Sequence, residues 1–477
     1  MNAAVPFASA IESIAPFRRS PENPSAIPAR IQGRIPDWLR GEVFRTCPAI
    51  FETGKWRAQH WFDGLGMIYA FRIGDSAVDF RSRLLDSETA RDARRGKTNL
   101  AAFGTPNARP LVQRIFEPIP RVSDNTNVNI VRLGHQLVAM TEGNRQLVID
   151  DETLASVEPV SYSGDALGGA IMSAHPHFDF GRSKVLNVAT EFGLNGVISI
   201  YEHDSVARQR ELIGSWRTRR VPYVHTFGLT PRSAILVAHP FGVSPAQMLW
   251  SSKGYIDHFD WRADEGTRLV IVDRSGGETR EHVADAFFAF HCVNAFEHGD
   301  STVLDVLAYP DADIVAALRI DRMLAELPDL RPSLLRIVMK PGVERASTEK
   351  LSDVGFEFPS THYRLVNGLP YRFAYGASDG LDAGGVYTSS VVKVDVTSGS
   401  SMSHCDGTHI FGEPIFVARP QGSGEDDGVL LTVGSARNAE SSVLAVLDAR
   451  TMALLASAEV PSSIPLGFHG SFTRTEW

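Results

Sequence analysis

At 477 residues, with 43% hydrophobic and 22% charged side chains, the chain reads as a soluble globular protein with enough length to bury a large core. A formal charge of −9 argues against a nucleic-acid partner, which needs clustered Lys and Arg. Cys47, Cys292 and Cys405 lie far apart with no CxxC pair, which excludes a cysteine-type zinc site, argues against a disulfide framework and points to a reducing, cytoplasmic compartment.

Met1 to Ser20 has no basic start and carries Glu12 early, so no secretory signal is expected there. Residues 1–40 are expected to pack as an extension on a single domain spanning 1–477, with a short helix near Pro6 to Ile14. Strand-like runs rich in Val, Ile and Leu then recur, closed by Gly, Asp, Asn or Pro. Among them are Val128 to Thr141, Lys184 to Thr190, Gly196 to Tyr201, Ala234 to Ala238, Thr267 to Val272, Thr302 to Ala308, Leu334 to Met339, Gly428 to Val433 and Val443 to Leu447. The basic run Trp216-Arg217-Thr218-Arg219-Arg220 reads as a solvated loop. Helical patterns are few: Ser244 to Gly254 and, most clearly, Ile314 to Leu327. Residues 245–256 carry Met248, Leu249, Trp250, Tyr255 and Ile256 between polar neighbours, which suits either a packed helix or a patch in peripheral contact with a membrane. No window approaches the roughly 20 apolar residues of a spanning helix.

This census favours an all-β architecture. Asp150 with Thr153, Asp395 with Thr397 and Asp448 with Thr451 each follow an apolar strand and precede another. Their side chains can cap such turns locally. Repeated hairpins of this kind suit a β-propeller.

Four histidines stand beside apolar runs that read as buried strand ends: His175, His225, His291 and His469. A buried imidazole needs a partner, and one shared metal serves four more simply than four separate arrangements. His225 lies 50 residues after His175, His291 a further 66 and His469 a further 178, intervals that exclude a helix-borne or finger-type site. They suit ligands from separate blades pointing at a common axis. Neutral imidazoles accommodate Zn, Cu, Fe or Ni. Four of them would close a tetrahedral zinc, whereas octahedral iron keeps two positions open for dioxygen and a neighbouring substrate. Glu142, Glu357 and Glu413 fall at strand ends or sharp turns, as carboxylates that orient metal-binding histidines would.

The ordered strings Gly41-Glu42-Val43-Phe44-Arg45, His60 to Met67, Asp124 to Asn129, Ala174-His175-Pro176-His177, Phe290 to Glu297, Glu357-Phe358-Pro359, Gly412-Glu413-Pro414 and Phe468-His469-Gly470 resemble the carotenoid cleavage oxygenase superfamily across nearly the whole chain. The resemblance implies a seven-bladed β-propeller, a few helices and loops capping its metal face, and Fe(II) bound by His175, His225, His291 and His469. It assigns Glu142, Glu357 and Glu413 to the carboxylates behind three of the ligands, leaving the pairing open. His177 matches no ligand slot and is expected to be structural; His60, His239 and His298 lie close to family-like strings without occupying ligand slots, and Cys292 is expected to pack.

The implied reaction is O₂-dependent scission of a conjugated alkene into two carbonyl products. Asp124 to Asn129, Tyr223 to Gly228 and Pro370 to Gly376 look closest to the retinal-forming branch, which implies a carotenoid or apocarotenoid substrate cut at its 15,15′ bond. Stilbene-cleaving relatives carry Lys before the first glutamate, where this chain has Thr141. A stilbene cleaver, a retinoid isomerase-hydrolase on the same iron site and a non-enzymatic binding propeller are the alternatives. A lipophilic polyene would need an apolar tunnel, for which the 26 phenylalanines are ample. A monomer is expected.

Overall fold

The computed structural model describes residues 11–12, 14–97, 100–118, 120–163, 170–326, 331–378 and 388–474. The fold is all-β, with antiparallel sheets joined in sequence and only short helices between them. Among the described residues, seven sheets of four to six strands account for most of it, beside a three-stranded and a two-stranded sheet. Each large sheet places its own apolar side chains against the next, as in the cluster of Leu186, Ile200, Phe227, Leu236 and Val270. Both ends of the described chain are pinned by pairing. Strand Gly470–Arg474 joins Gly41–Ile50, and Arg30–Gly33 joins Leu454–Val460, so part of the N-terminal extension supplies strands to the sheets.

The aspartate turns work as their chemistry suggests. Asp150, Asp395 and Asp448 accept from the backbone N–H of Thr153, Thr397 and Thr451 at 2.7, 2.9 and 2.8 Å. Asp204 and Asp273 close the same outer hairpin in two further sheets, accepting from the N–H of Val206 and Ser275, each at 2.8 Å. Neither is followed by Thr at that spacing, so both fall outside the Asp/Thr pattern of the sequence.

Several expected elements differ. The run Val128 to Thr141 is two strands, Asn129–Leu133 and Gln136–Met140, reversed at Gly134, whose φ of +58° needs glycine's freedom. The pattern over Ile314 to Leu327 breaks into helices Asp313–Ala317 and Ile320–Ala325, with Leu327 outside the described residues. The break occurs because the Leu318 carbonyl accepts from Trp61 N–H and Ile320 N–H donates to the Gln59 carbonyl. Ser244 to Gly254 holds one 3₁₀ turn, Pro245–Met248. Most of the pattern near Pro6 to Ile14 lies outside the described residues. The basic run is not a solvated loop: Trp216, Arg217 and Thr218 end strand Glu211–Thr218, and Arg220 donates to the Pro240 carbonyl and pairs with Glu265.

Candidate metal centre

Each of the four histidines sits just ahead of a strand. His225 precedes Phe227–Leu229, His291 precedes Cys292–His298 and His469 precedes Gly470–Arg474. His175 lies between Ile171–Met172 and His177–Asp179. One nitrogen from each ring falls within 4.8 Å of the other three.

The three glutamates pair with three of the rings. His225 Nδ1 meets Glu142 Oε1, His291 Nδ1 meets Glu357 Oε2 at 2.6 Å, and His469 Nδ1 meets Glu413 Oε1 at 2.7 Å. A carboxylate only accepts, so each Nδ1 carries the proton and each Nε2 turns its lone pair inward. The Nε2 atoms of His291 and His469 stand 3.1 Å apart, as do those of His175 and His225. Between His291 and His469, whose Nδ1 protons are both taken by carboxylates, the two lone pairs face each other and repel, and a shared cation resolves that. Burial, then the neighbouring imidazoles, holds His175 well below the ordinary histidine range; burial also lowers His469. Neutral rings with inward lone pairs are the donor set a late first-row metal takes.

Each carboxylate has its own support. Tyr223, fully buried, donates its hydroxyl to Glu142 Oε1 at 2.6 Å. Burial and the Glu142 charge push this phenol well above its usual value, so it remains a donor. Glu413 accepts Gly470 N–H on Oε2 at 2.9 Å. Glu357 Oε2 also accepts Phe358 N–H at 3.1 Å, through a turn in which Phe358 has φ +56°. That is a costly conformation for a bulky residue. It sets the Phe358 ring 5.5 Å from His469 and 5.9 Å from His291.

Backbone ties with no signature in the sequence connect the segment of one clustered histidine to the next. Ser173 accepts His175 N–H at 3.0 Å and donates to the His225 carbonyl at 2.5 Å. Thr226 donates to the Phe290 carbonyl and accepts Cys292 N–H, both at 2.9 Å, bridging the His225 and His291 segments. Asn129 donates to the Ala174 carbonyl at 2.8 Å. The nearest thing to a signal is a polar residue one or two positions from a clustered histidine, a pattern too common in loops to stand out.

The other histidines and the cysteines stay outside the cluster. His177 is engaged by the Phe227 carbonyl, Tyr363 and Asn367. His60 is held by the Val315 carbonyl and His239 by the Phe287 carbonyl, while His298 is exposed at a strand end. Cys292 packs, partly buried, against the core and its thiol is pushed up to about 12 by burial; Cys47 and Cys405 are also free.

The centre opens on a cavity whose empty space, mouth included, is about 1020 Å³. Among the described residues, five phenylalanines reach its wall: Phe62, Phe103, Phe290, Phe358 and Phe468. Trp61, Thr141, Glu142 and Tyr255 line it too. Four converging imidazoles with three carboxylates behind them, facing an aromatic cavity, have the design of a metal-dependent enzyme.

Residues 14–474 match the family model described as retinal pigment epithelial membrane protein, and the chain belongs to that family of carotenoid oxygenases. It is an oxygenase. A carotenoid isomerooxygenase of Galleria mellonella is 30% identical over 93% of this chain and 92% of its own. The apocarotenoid-15,15′-oxygenase of Synechocystis is 29% identical over the same shares, 93% and 92%. The crystal structure of cobalt-substituted Synechocystis apocarotenoid oxygenase superposes with a TM-score of 0.84 at 25% identity, covering 98% of this chain and 99% of that one.

Proposed function

We propose that this oxygenase is a non-haem iron(II) dioxygenase that cleaves a conjugated double bond of a carotenoid or apocarotenoid into two aldehydes, at the 15,15′ bond to give retinal. The carrying observation is the convergence of His175, His225, His291 and His469 on one point, with the last three of them lining a largely apolar, aromatic-rich cavity. Ferrous iron in an all-imidazole field supplies the activation of dioxygen. The protein supplies the rest: Glu142, Glu357 and Glu413 keep the Nδ1 protons in place, so the ligand nitrogens stay basic and aligned. The ring faces of Phe62, Phe103, Phe290 and Phe468 exclude water and hold a flat polyene beside the centre. Relatives named for 15,15′ cleavage support the choice of bond.

The seven large sheets support a seven-bladed propeller, and their closure by the N- and C-terminal strands supports one domain over 1–477. We read the protein as a cytoplasmic monomer that meets a membrane peripherally. No helix among the described residues is long and apolar enough to cross one. Within 245–256, Trp250 is the one large apolar side chain that is exposed. A larger apolar face comes from the helix Leu111–Phe116, which the sequence patterns do not mark, with Leu111, Val112, Ile115 and Phe116 all exposed. Arg114 ties that helix to the Trp250 carbonyl at 3.0 Å.

The test is turnover of iron-loaded protein on an apocarotenal, β-carotene, a hydroxystilbene and a retinyl ester under ¹⁸O₂, read by mass spectrometry. Retinal carrying label is expected. Labelled aldehydes of other masses would reject the bond, aromatic aldehydes alone would reject the substrate class, and unlabelled retinol would assign an isomerase-hydrolase. Stoichiometric zinc in the active protein would reject iron.

A further inference from the structure

An apolar polyene gives a protein no polar handle, and most of the cavity wall is accordingly apolar. One flank is not. Tyr255, Thr141 and Glu142 line the cavity, and among the described residues neither the Tyr255 nor the Thr141 hydroxyl has a hydrogen-bond partner. Glu142 commits Oε1 to both His225 and Tyr223, while its Oε2 has no partner among the described residues. A donor, a group that can do either, and an acceptor therefore face the same space.

These groups are held in place. The Tyr255 ring packs 4.9 Å from Phe259, 6.2 Å from Phe192 and 6.4 Å from Phe103. Its backbone N–H donates to the Ala102 carbonyl at 3.0 Å. Burial first, and then the Glu142 charge, raise the phenol well above its ordinary value, so the hydroxyl keeps its proton. Glu142 is held by His225 and Tyr223, and Thr141 is its chain neighbour.

We propose that this flank is a subsite for an oxygen atom of the substrate: Tyr255 donates to a hydroxyl or carbonyl oxygen, and Glu142 Oε2 accepts when that group is a hydroxyl. A hydrocarbon bound against the flank would cover these polar atoms and leave them unpaired, which disfavours it relative to an oxygenated ligand. Because Glu142 also holds His225, the bound oxygen lies on the His225 side of the centre. The position of the cut then follows from the number of bonds between that oxygen and the alkene. The proposal rests on the reading of the cavity as the site of alkene cleavage, and narrows its substrates to oxygen-bearing ones. An oxygenated apocarotenoid and a phenolic stilbene offer the same chemistry.

Two matched substrate pairs distinguish them: an apocarotenol with its deoxy hydrocarbon, and 4-hydroxystilbene with stilbene. Iron-loaded wild-type protein is expected to favour the oxygenated member of one pair by about 10–100-fold in kcat/KM. Tyr255→Phe should cut that ratio about tenfold, mainly through KM, and Thr141→Val should reduce it less. The same ranking is expected in the Kd of the oxygenated ligand for cobalt-loaded protein without O₂, which reads binding apart from turnover. Equal kcat/KM within both pairs, or a ratio that survives Tyr255→Phe and Thr141→Val, overturns the subsite while leaving the oxygenase reading intact. Cleavage of none of the four alkenes overturns both.

Discussion

Arg45 lies directly against Glu413, 368 residues further along the chain: its Nη1 donates to the Glu413 carbonyl at 2.8 Å. Its Nη2 donates to the Phe468 carbonyl at 2.9 Å and stands 3.6 Å from Glu413 Oε2. The guanidinium thus braces the Glu413–His469 couple from behind while almost wholly buried. Its passage also explains Gly470, since a Cβ there would fall 2.6 Å from Arg45 Cγ and 2.5 Å from the Phe44 carbonyl oxygen.

Arg45→Met should leave two buried carbonyls and a carboxylate short of a donor, at a cost of about 3 kcal/mol. Arg45→Lys retains the charge without the planar fork and should fall between. Urea denaturation of the metal-free proteins measures this; a midpoint unchanged in Arg45→Met would show that the contacts carry no weight.

Glu142→Gln, Glu357→Gln and Glu413→Gln keep the side-chain size and remove the charge that orients His225, His291 and His469. Each is expected to weaken metal binding or activity by roughly 10–100-fold. Cobalt titration of metal-free protein in competition with a chelator reads this directly. Wild-type affinity in all three would reduce the centre to its four histidines.

Stability should fall as pH drops below about 6.5. His60 accepts Phe62 N–H on Nδ1 at 3.2 Å and donates from Nε2 to the Val315 carbonyl at 2.9 Å, so the folded ring is neutral. Burial takes it down to about 3, and His239 down to about 4. Below 6.5 the unfolded chain takes up protons at both rings that the folded chain refuses, so unfolding becomes easier by up to about 1.4 kcal/mol per pH unit for each. The effect builds until the folded values are passed. Denaturant midpoints of metal-free protein at pH 7 and pH 5 should differ less in His239→Gln than in wild type; identical slopes would show that His239 is not the linked group.

The exposed apolar face on Leu111–Phe116 should govern membrane contact. Replacing Ile115 and Phe116 together by Glu is expected to abolish sedimentation with phosphatidylcholine vesicles while leaving the melting temperature within a few degrees. A variant that still sediments would move the contact elsewhere.

The four histidines that the structure brings together are legible in the sequence, because an imidazole beside an apolar run is conspicuous and the signature strings occur in order. The glutamates are legible for the same reason, but not their pairing. Glu142 reaches His225 and Glu357 reaches His291 only once separate sheets have come together. Helix Leu111–Phe116 leaves no comparable mark because its six residues are too few for a helical period to stand out, and the outward direction of their apolar side chains is set only by the fold.

What the sequence by itself determined is local: strand runs that bury one another, aspartate turns that cap their own hairpins, and strand-end histidines and carboxylates with the chemistry of a metal site. What only the tertiary structure decided is relational. It chose which carboxylate meets which ring, sent Arg45 behind Glu413, brought Phe62, Phe103, Phe290, Phe358 and Phe468 to one cavity wall, and left the Tyr255 and Thr141 hydroxyls facing that space without a partner among the described residues. Capping and strand formation act over a few residues and leave a periodic trace, whereas these contacts join positions tens to hundreds of residues apart, where no local pattern records which side chains will meet.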